Sequence, residues 1–192
     1  MAMDVRLMIQ STPNPNALKF VLNVPVKTQG NFTYKSAGEC GHNPLAKAVF
    51  GLSPSVREVY FFDNYITVTQ DGKVDWDDIE DGIRSTILKK IADHDPNFKT
   101  EEPKASAPAA QATGPDVDKI NEILDQTVRP ALQMDGGDIR VVDVKDKRVT
   151  VFYQGACGSC PSAAMGTLAA IENILRDQFH PDVTVALADS PA

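Results

Sequence analysis

The stretch from Lys99 to Pro115 constrains the fold more than any other part of the sequence. It reads Lys-Thr-Glu-Glu-Pro-Lys-Ala-Ser-Ala-Pro-Ala-Ala-Gln-Ala-Thr-Gly-Pro. Apart from Thr100 and Thr113 it holds no β-branched or aromatic side chain. Such a segment cannot bury enough apolar surface to offset the entropy of ordering it. It is expected to be a flexible Ala/Pro-rich linker, semi-extended at its prolines. At 192 residues the chain is long for one small domain and short for two large ones. The expectation is two small α+β domains, residues 1–98 and 116–192, joined by residues 99–115. At 42% hydrophobic and 23% charged, the composition is that of an ordinary globular protein.

In the first domain, Val5 to Ile9 and Leu18 to Leu22 have strand character, separated by the turn cluster Ser11-Thr12-Pro13-Asn14-Pro15-Asn16. Pro25 to Asn31 reads as loop and Phe32 to Tyr34 as a brief strand. Pro44 to Phe50 predicts a short helix, with Gly51 just beyond its end. Val56 to Phe62 and Tyr65 to Thr69 predict a hairpin around Asp63-Asn64, a pair without the usual glycine. Trp76, Ile79, Ile83, Ile87 and Ile91 recur at helical spacing, and Asp77, Asp78 and Glu80 fall in the first turn, where negative charge suits the helix dipole.

In the second domain, Val117, Ile120, Ile123, Leu124, Val128 and Leu132 keep helical spacing, with a kink or break expected at Pro130. Asp135-Gly136-Gly137-Asp138 is a turn. Ile139 to Val144 and Arg148 to Tyr153 form a hairpin around Asp146-Lys147. A helix from Ser162 to Phe179 and a strand from Val183 to Leu187 complete the order α-β-β-α-β. This fills roughly 75 residues, near the lower limit for an independently stable domain.

Between the last hairpin strand and that helix lies Gly155-Ala156-Cys157-Gly158-Ser159-Cys160-Pro161-Ser162. A C-x-x-C pair can hold a metal or one edge of a cluster, or it can act as a dithiol. Free backbone N–H groups at a helix start favour thiolate. Pro161 and Ser162 suit that helix start, and Gly155 and Gly158 permit tight turning near a bulky ligand. The bland alternative is that both cysteines pack as small hydrophobes. Three cysteines without an export signal argue against a disulfide framework and for a reduced compartment, so a cytoplasmic location is expected. The net charge of −7 argues against nucleic acid as a partner. No segment reaches the ~20 apolar residues of a membrane span.

Two sets of residues resemble one known family. Arg129-Pro130-Ala131-Leu132-Gln133-Met134-Asp135-Gly136-Gly137-Asp138, followed by the cysteine loop, resembles the C-terminal domain of NifU/Nfu iron–sulfur scaffold and carrier proteins. Thr12-Pro13-Asn14-Pro15-Asn16-Ala17-Leu18-Lys19-Phe20, Pro44 to Phe50 and Tyr65 to Thr69 resemble the amino-terminal domain of the Nfu family. The resemblance implies assembly or transfer of a [4Fe–4S] cluster, with the family's ligands carried onto Cys157 and Cys160. It further implies apo iron–sulfur proteins as clients and an upstream assembly machinery as donor. Such a cluster usually takes four thiolates. This domain has two, so a cluster-bound homodimer is expected, with the cluster shared between two chains. Zinc ligation and thiol–disulfide exchange by the same pair are the alternatives.

No other constellation reads as an enzyme active site. Cys40 and His42 are two potential ligands in what reads as a solvated loop, which is not a metal site; an accessory thiol or zinc scavenger is the lesser reading. Asp135 and Asp138 have no nucleophile beside them and read as turn residues. Trp76 reads as core, and Pro13 to Asn16 as a structural turn in preference to a client-recognition surface.

Overall fold

The computed structural model describes residues 4–98, 113–158 and 161–188. The chain divides into two compact units, Met1–Glu101 and Glu102–Ala192. Each is α+β. Residues 99–112 of the expected linker lie outside the described residues.

The first unit is an antiparallel sheet of five strands in the order β1-β2-β5-β4-β3. The strands are β1 (Leu7–Ser11), β2 (Ala17–Leu22), β3 (Lys27–Tyr34), β4 (Val56–Asp63) and β5 (Tyr65–Gln70), with helices α1 (Pro44–Phe50) and α2 (Trp76–Lys90). Register pairs Phe20 with Ile66, Val59 with Val68 and Phe61 with Ile66. Period-two alternation therefore gathers them on one face. They pack with Leu45 and Val49 of α1 and Ile83 and Ile87 of α2, all fully buried or nearly so.

Three expectations are corrected here. Lys27 to Asn31 belongs to β3 and is not loop. This is an edge strand with a register irregularity between Lys27 and Asn31. Its polar Thr28-Gln29-Gly30 is exposed, so no apolar alternation marks it. Trp76 is only partly buried at the edge of the core. Its indole Nε1 donates to the Pro15 carbonyl at 2.9 Å, tying the Pro13–Asn16 turn to the start of α2. Cys40 does not lie in a solvated loop. It closes the 3₁₀ turn Ala37–Cys40 and is wholly buried, its Sγ donating to the Ser36 carbonyl at 3.3 Å. Burial, reinforced by the charge of Glu39, pushes its pKa up to about 12, so it stays a thiol and a poor ligand. His42 is exposed, with Nε2 at 2.8 Å from the Tyr34 hydroxyl.

The Asp63 turn works without glycine because Asp63 itself adopts φ 44. Aspartate tolerates the left-handed region better than most residues.

The second unit holds α3 (Pro115–Thr127), α4 (Arg129–Met134), β6 (Gly137–Lys145), β7 (Arg148–Gly155), α5 (Pro161–Gln178) and β8 (Thr184–Leu187). The order is α-β-β-α-β with the first helix broken in two. Pro130 lies in the first turn of α4, where its missing N–H costs nothing. The sheet runs β6-β7-β8, with β6 antiparallel and β8 parallel to β7. The β6–β7 turn places Asp146 at φ 48 and Lys147 at φ 66, the two positive angles of a two-residue hairpin turn. Ile120 and Leu124 of α3, Leu132 of α4 and Ile171 and Leu175 of α5 cover Ile139, Val141, Val149 and Val151. That layered core holds the end of β7, and with it the cysteine loop, against the start of β6.

Candidate metal centre

Cys157 sits in the turn Ala156–Gly158, directly after β7 and three residues before α5. Two backbone bonds build the turn. Gly158 N–H donates to the Gly155 carbonyl at 3.0 Å, and Ala156 N–H donates to the Gly136 carbonyl at 3.2 Å. Gly155 reverses the chain at φ 63 and Gly136 does so at φ 81. Both angles are in the region that side chains other than glycine resist.

The decisive feature lies one residue further on. Gly137 pairs with Gly155 across the β6–β7 ladder. A Cβ placed on Gly137 would lie 2.6 Å from Cys157 Sγ, 2.7 Å from the Gln154 carbonyl and 3.0 Å from Cys157 Cβ. The Cys157 sulfur therefore rests on bare backbone, in a cradle that only glycine leaves open. Cys157 is 7% exposed, more buried than a loop cysteine is expected to be, while its neighbour Gly158 is exposed. Ser159 and Cys160 lie outside the described residues. The structure thus positions one of the two expected ligands.

The turn at Asp135–Asp138 is the other half of this device. β6 begins within it, at Gly137. Asp138 is 4% exposed, its Oδ1 accepting from Ile139 N–H at 2.7 Å and lying 3.5 Å from Arg129 Nε. Arg129 is the residue that sequence reasoning missed. Its Nε donates to the Ile139 carbonyl at 3.1 Å and its Nη2 to Asn121 Oδ1 at 2.7 Å, and Nη1 pairs with Asp125. One guanidinium thus joins α3 to the first residues of β6 and fixes Gly137 beneath the sulfur. The sequence signals were its place at the head of the family-like run Arg129 to Asp138 and its position four residues after Asp125. Arg129→Met is expected to cost about 3 kcal/mol of stability, since it strips a largely buried carboxylate of its cation. Asp138→Asn in the same chain should recover part of that loss. Urea titration of the two variants checks both statements.

Among the described residues, no three His, Cys, Asp or Glu side chains converge as a metal site. Cys40 belongs to the other unit and is buried in that unit's core.

Comparison with known proteins adds the family. Residues 7–94 match the domain described as Scaffold protein Nfu/NifU N terminal, and residues 120–186 match the NifU-like domain. The human protein named NFU1 iron-sulfur cluster scaffold homolog, mitochondrial, is 34% identical over 176 residues, covering 91% of this chain and 68% of that protein. The chain belongs to the Nfu/NifU family. A Drosophila persimilis protein of the same name is also 34% identical over 176 residues, covering 91% of this chain and 61% of its own length. NifU-like protein 5, mitochondrial, of Arabidopsis thaliana is 33% identical over 170 residues, covering 86% of this chain and 62% of that one. The chain thus spans roughly three fifths to two thirds of these Nfu relatives.

These names overturn the expected cytoplasmic location, since all three relatives are designated mitochondrial. Targeting addresses are carried on segments apart from the fold, so domain composition does not reveal them. No helix among the described residues is long and apolar enough to cross a membrane.

Proposed function

We propose that this Nfu/NifU chain is an iron–sulfur cluster scaffold that holds a [4Fe–4S] cluster between two copies of itself and passes it to apo-proteins. The cluster is cargo. Cys157 and Cys160 of each copy are its ligands, and the observation that carries the reading is the glycine cradle under Cys157 Sγ. A cysteine needed only for packing requires no bare backbone on one side. A sulfur held against backbone, in the loop between β7 and α5, is fixed in position. Four thiolates complete a [4Fe–4S] set, and a two-fold axis supplies the second pair without any new sequence. Few bonds from each chain hold such a cluster, which suits release to a client. The first domain is assigned to recognising or positioning partners, among them client apo-proteins and the machinery that loads the cluster.

The test is anaerobic reconstitution with ferrous iron and sulfide, followed by visible absorption and Mössbauer spectra. A charge-transfer envelope and the quadrupole doublet of a [4Fe–4S] cluster are expected. Tight binding of spectroscopically silent zinc with no iron uptake, or a reversible dithiol titration alone, would establish the zinc or thiol–disulfide alternative instead.

The cluster domain is further proposed to act alone. Val117 to Val183 supply a complete apolar core within the second unit. A fragment from Gly114 to Ala192 is expected to fold and to take up as much iron per chain as the full protein. Limited proteolysis should cut first between residues 99 and 115, where accessible backbone is expected. Circular dichroism and iron analysis of the fragment check this.

A further inference from the structure

We infer that the outer edge of β1 captures an extended segment of a partner protein, adding it to the five-stranded sheet of the first unit as one more strand. This deepens the partner-recognition role proposed for the first domain and rests on that reading. The sheet has two edges, β1 and β3. An edge strand presents unpaired backbone N–H and C=O groups, and proteins commonly blunt it. The β3 edge is blunted in three ways. Its register breaks between Lys27 and Asn31. Gly30 turns to φ 64 inside that break. The chain itself then covers it, since Thr28 N–H donates to the Pro96 carbonyl at 3.0 Å and Thr28 Oγ1 donates to Asn97 Oδ1 at 2.6 Å.

The β1 edge has none of these devices. Leu7 to Ser11 pair with β2 residue by residue, without a register shift. The strand holds no charge, proline or glycine. The phase of the hydrogen bonds decides which groups face outward. Asn23 N–H donates to the Arg6 carbonyl, while Leu22 N–H turns the other way, to the Asn64 carbonyl. Antiparallel pairs alternate between bonded and non-bonded. Met8 and Gln10 therefore bond inward, to Val21 and Lys19. Leu7, Ile9 and Ser11 direct their N–H and C=O groups away from β2, and no partner meets them among the described residues. Donors and acceptors repeating every second residue are matched by another extended chain. The side chains set what that chain contains. Leu7 and Ile9, with Val5, pack against the core but stay only partly buried, so apolar residues on the same face of an added strand would finish covering them. The other face offers Met8, 60% exposed, and the exposed Gln10. The partner segment is therefore uncharged at its centre, apolar at every second position and free of proline there.

The probe is a displayed library of random decapeptides, selected on immobilised full-length protein without cluster. Selected peptides are expected to alternate apolar and polar residues and to lack proline at their centre. Binding should slow amide exchange at Leu7, Ile9 and Ser11, read by NMR, and leave Met8 and Gln10 unchanged because those amides are already bonded within the sheet. Ser11→Pro removes one outward N–H at an exposed strand end, a place where an edge tolerates proline. It should weaken the best peptide about fivefold, the factor carried by one ordinary hydrogen bond. Met8→Lys is the second variant, in case proline disturbs folding. It puts a charge on an exposed side chain of the edge, and should weaken the same peptide while the amide spectrum stays that of the folded protein. Failure to select any peptide, protection away from β1, or affinity for the folded variants equal to wild type overturns the inference. Iron uptake by the same preparation is measured separately. Its absence fails the scaffold reading, while the peptide result decides the β1 edge by itself.

Discussion

Cys157→Ser and Cys160→Ser are each expected to abolish cluster uptake, while Cys40→Ser is expected to leave iron per chain unchanged. The difference follows from environment, since all three are cysteines in a chain that has no others. Cys157 lies at the strand–helix loop with its sulfur supported on Gly137. Serine at that position offers iron a weaker, harder ligand with a far higher pKa, and a cluster shared as proposed would lose two ligands at once, because each substitution would occur in both subunits. Cys40 is sealed in the other unit and holds its proton. Its replacement by serine is expected to lower the stability of the first domain by about 1 kcal/mol, through burial of a stronger polar group, without touching iron content. Iron and acid-labile sulfide assays on the three reconstituted variants check the set. Loss of the cluster in Cys40→Ser, with the protein folded, contradicts the assignment.

Gly137→Val is expected to displace the cysteine loop and to remove cluster binding without altering any proposed ligand. Even the alanine Cβ would meet Cys157 Sγ at 2.6 Å and the Gln154 carbonyl at 2.7 Å. Neither obstacle is the far end of a flexible chain. One is a short side chain beside backbone and the other is backbone within β7. Overpacking of this kind is destabilising by about 1–3 kcal/mol for a small group, and valine adds two methyls to it. Gly137→Ala is therefore expected at the upper end of that range with reduced iron content, and Gly137→Val beyond it with none. Gly166 on α5 is the control, since a Cβ there meets nothing within 4 Å. Gly166→Ala should keep full cluster content and gain up to about 1 kcal/mol from helix propensity. Chemical denaturation and iron analysis distinguish the two glycines.

The elements that frame the site were legible because each is driven by local pattern. The helical stripe Ile120, Leu124 and Leu132, the alternating Val149, Val151 and Tyr153, and Pro130 at a helix break all act within a few residues of sequence. Features that depend on tertiary pairing were not legible. The first half of β3 is a polar edge, and only its pairing with β4 makes it a strand. Cys40 looked solvated because glycines and His42 surround it, yet the 3₁₀ turn Ala37–Cys40 drives its thiol into the core. Trp76 follows the apolar stripe of α2 but spends its indole N–H on Pro15, far away in sequence. At the site, the two cysteines were visible as a motif. The role of Gly137 was not, since it emerges only when β6 and β7 pair and bring Gly136, Gly155 and Cys157 together. The same holds for Arg129, whose partners span from Asn121 to Ile139.

The central claim is that one cluster is shared by two chains, so cluster binding and dimerisation are linked. A ligand that binds the dimer and not the monomer must draw the equilibrium toward dimer by mass action. The measurement is sedimentation of the reconstituted protein, before and after iron chelation, with iron counted in the same samples. The account predicts a dimer carrying about two irons per chain, the stoichiometry of one shared [4Fe–4S] cluster, which dissociates when the iron is removed. A monomer carrying a full four-iron cluster contradicts it, because such a species requires ligands that Cys157 and Cys160 of a single chain do not supply.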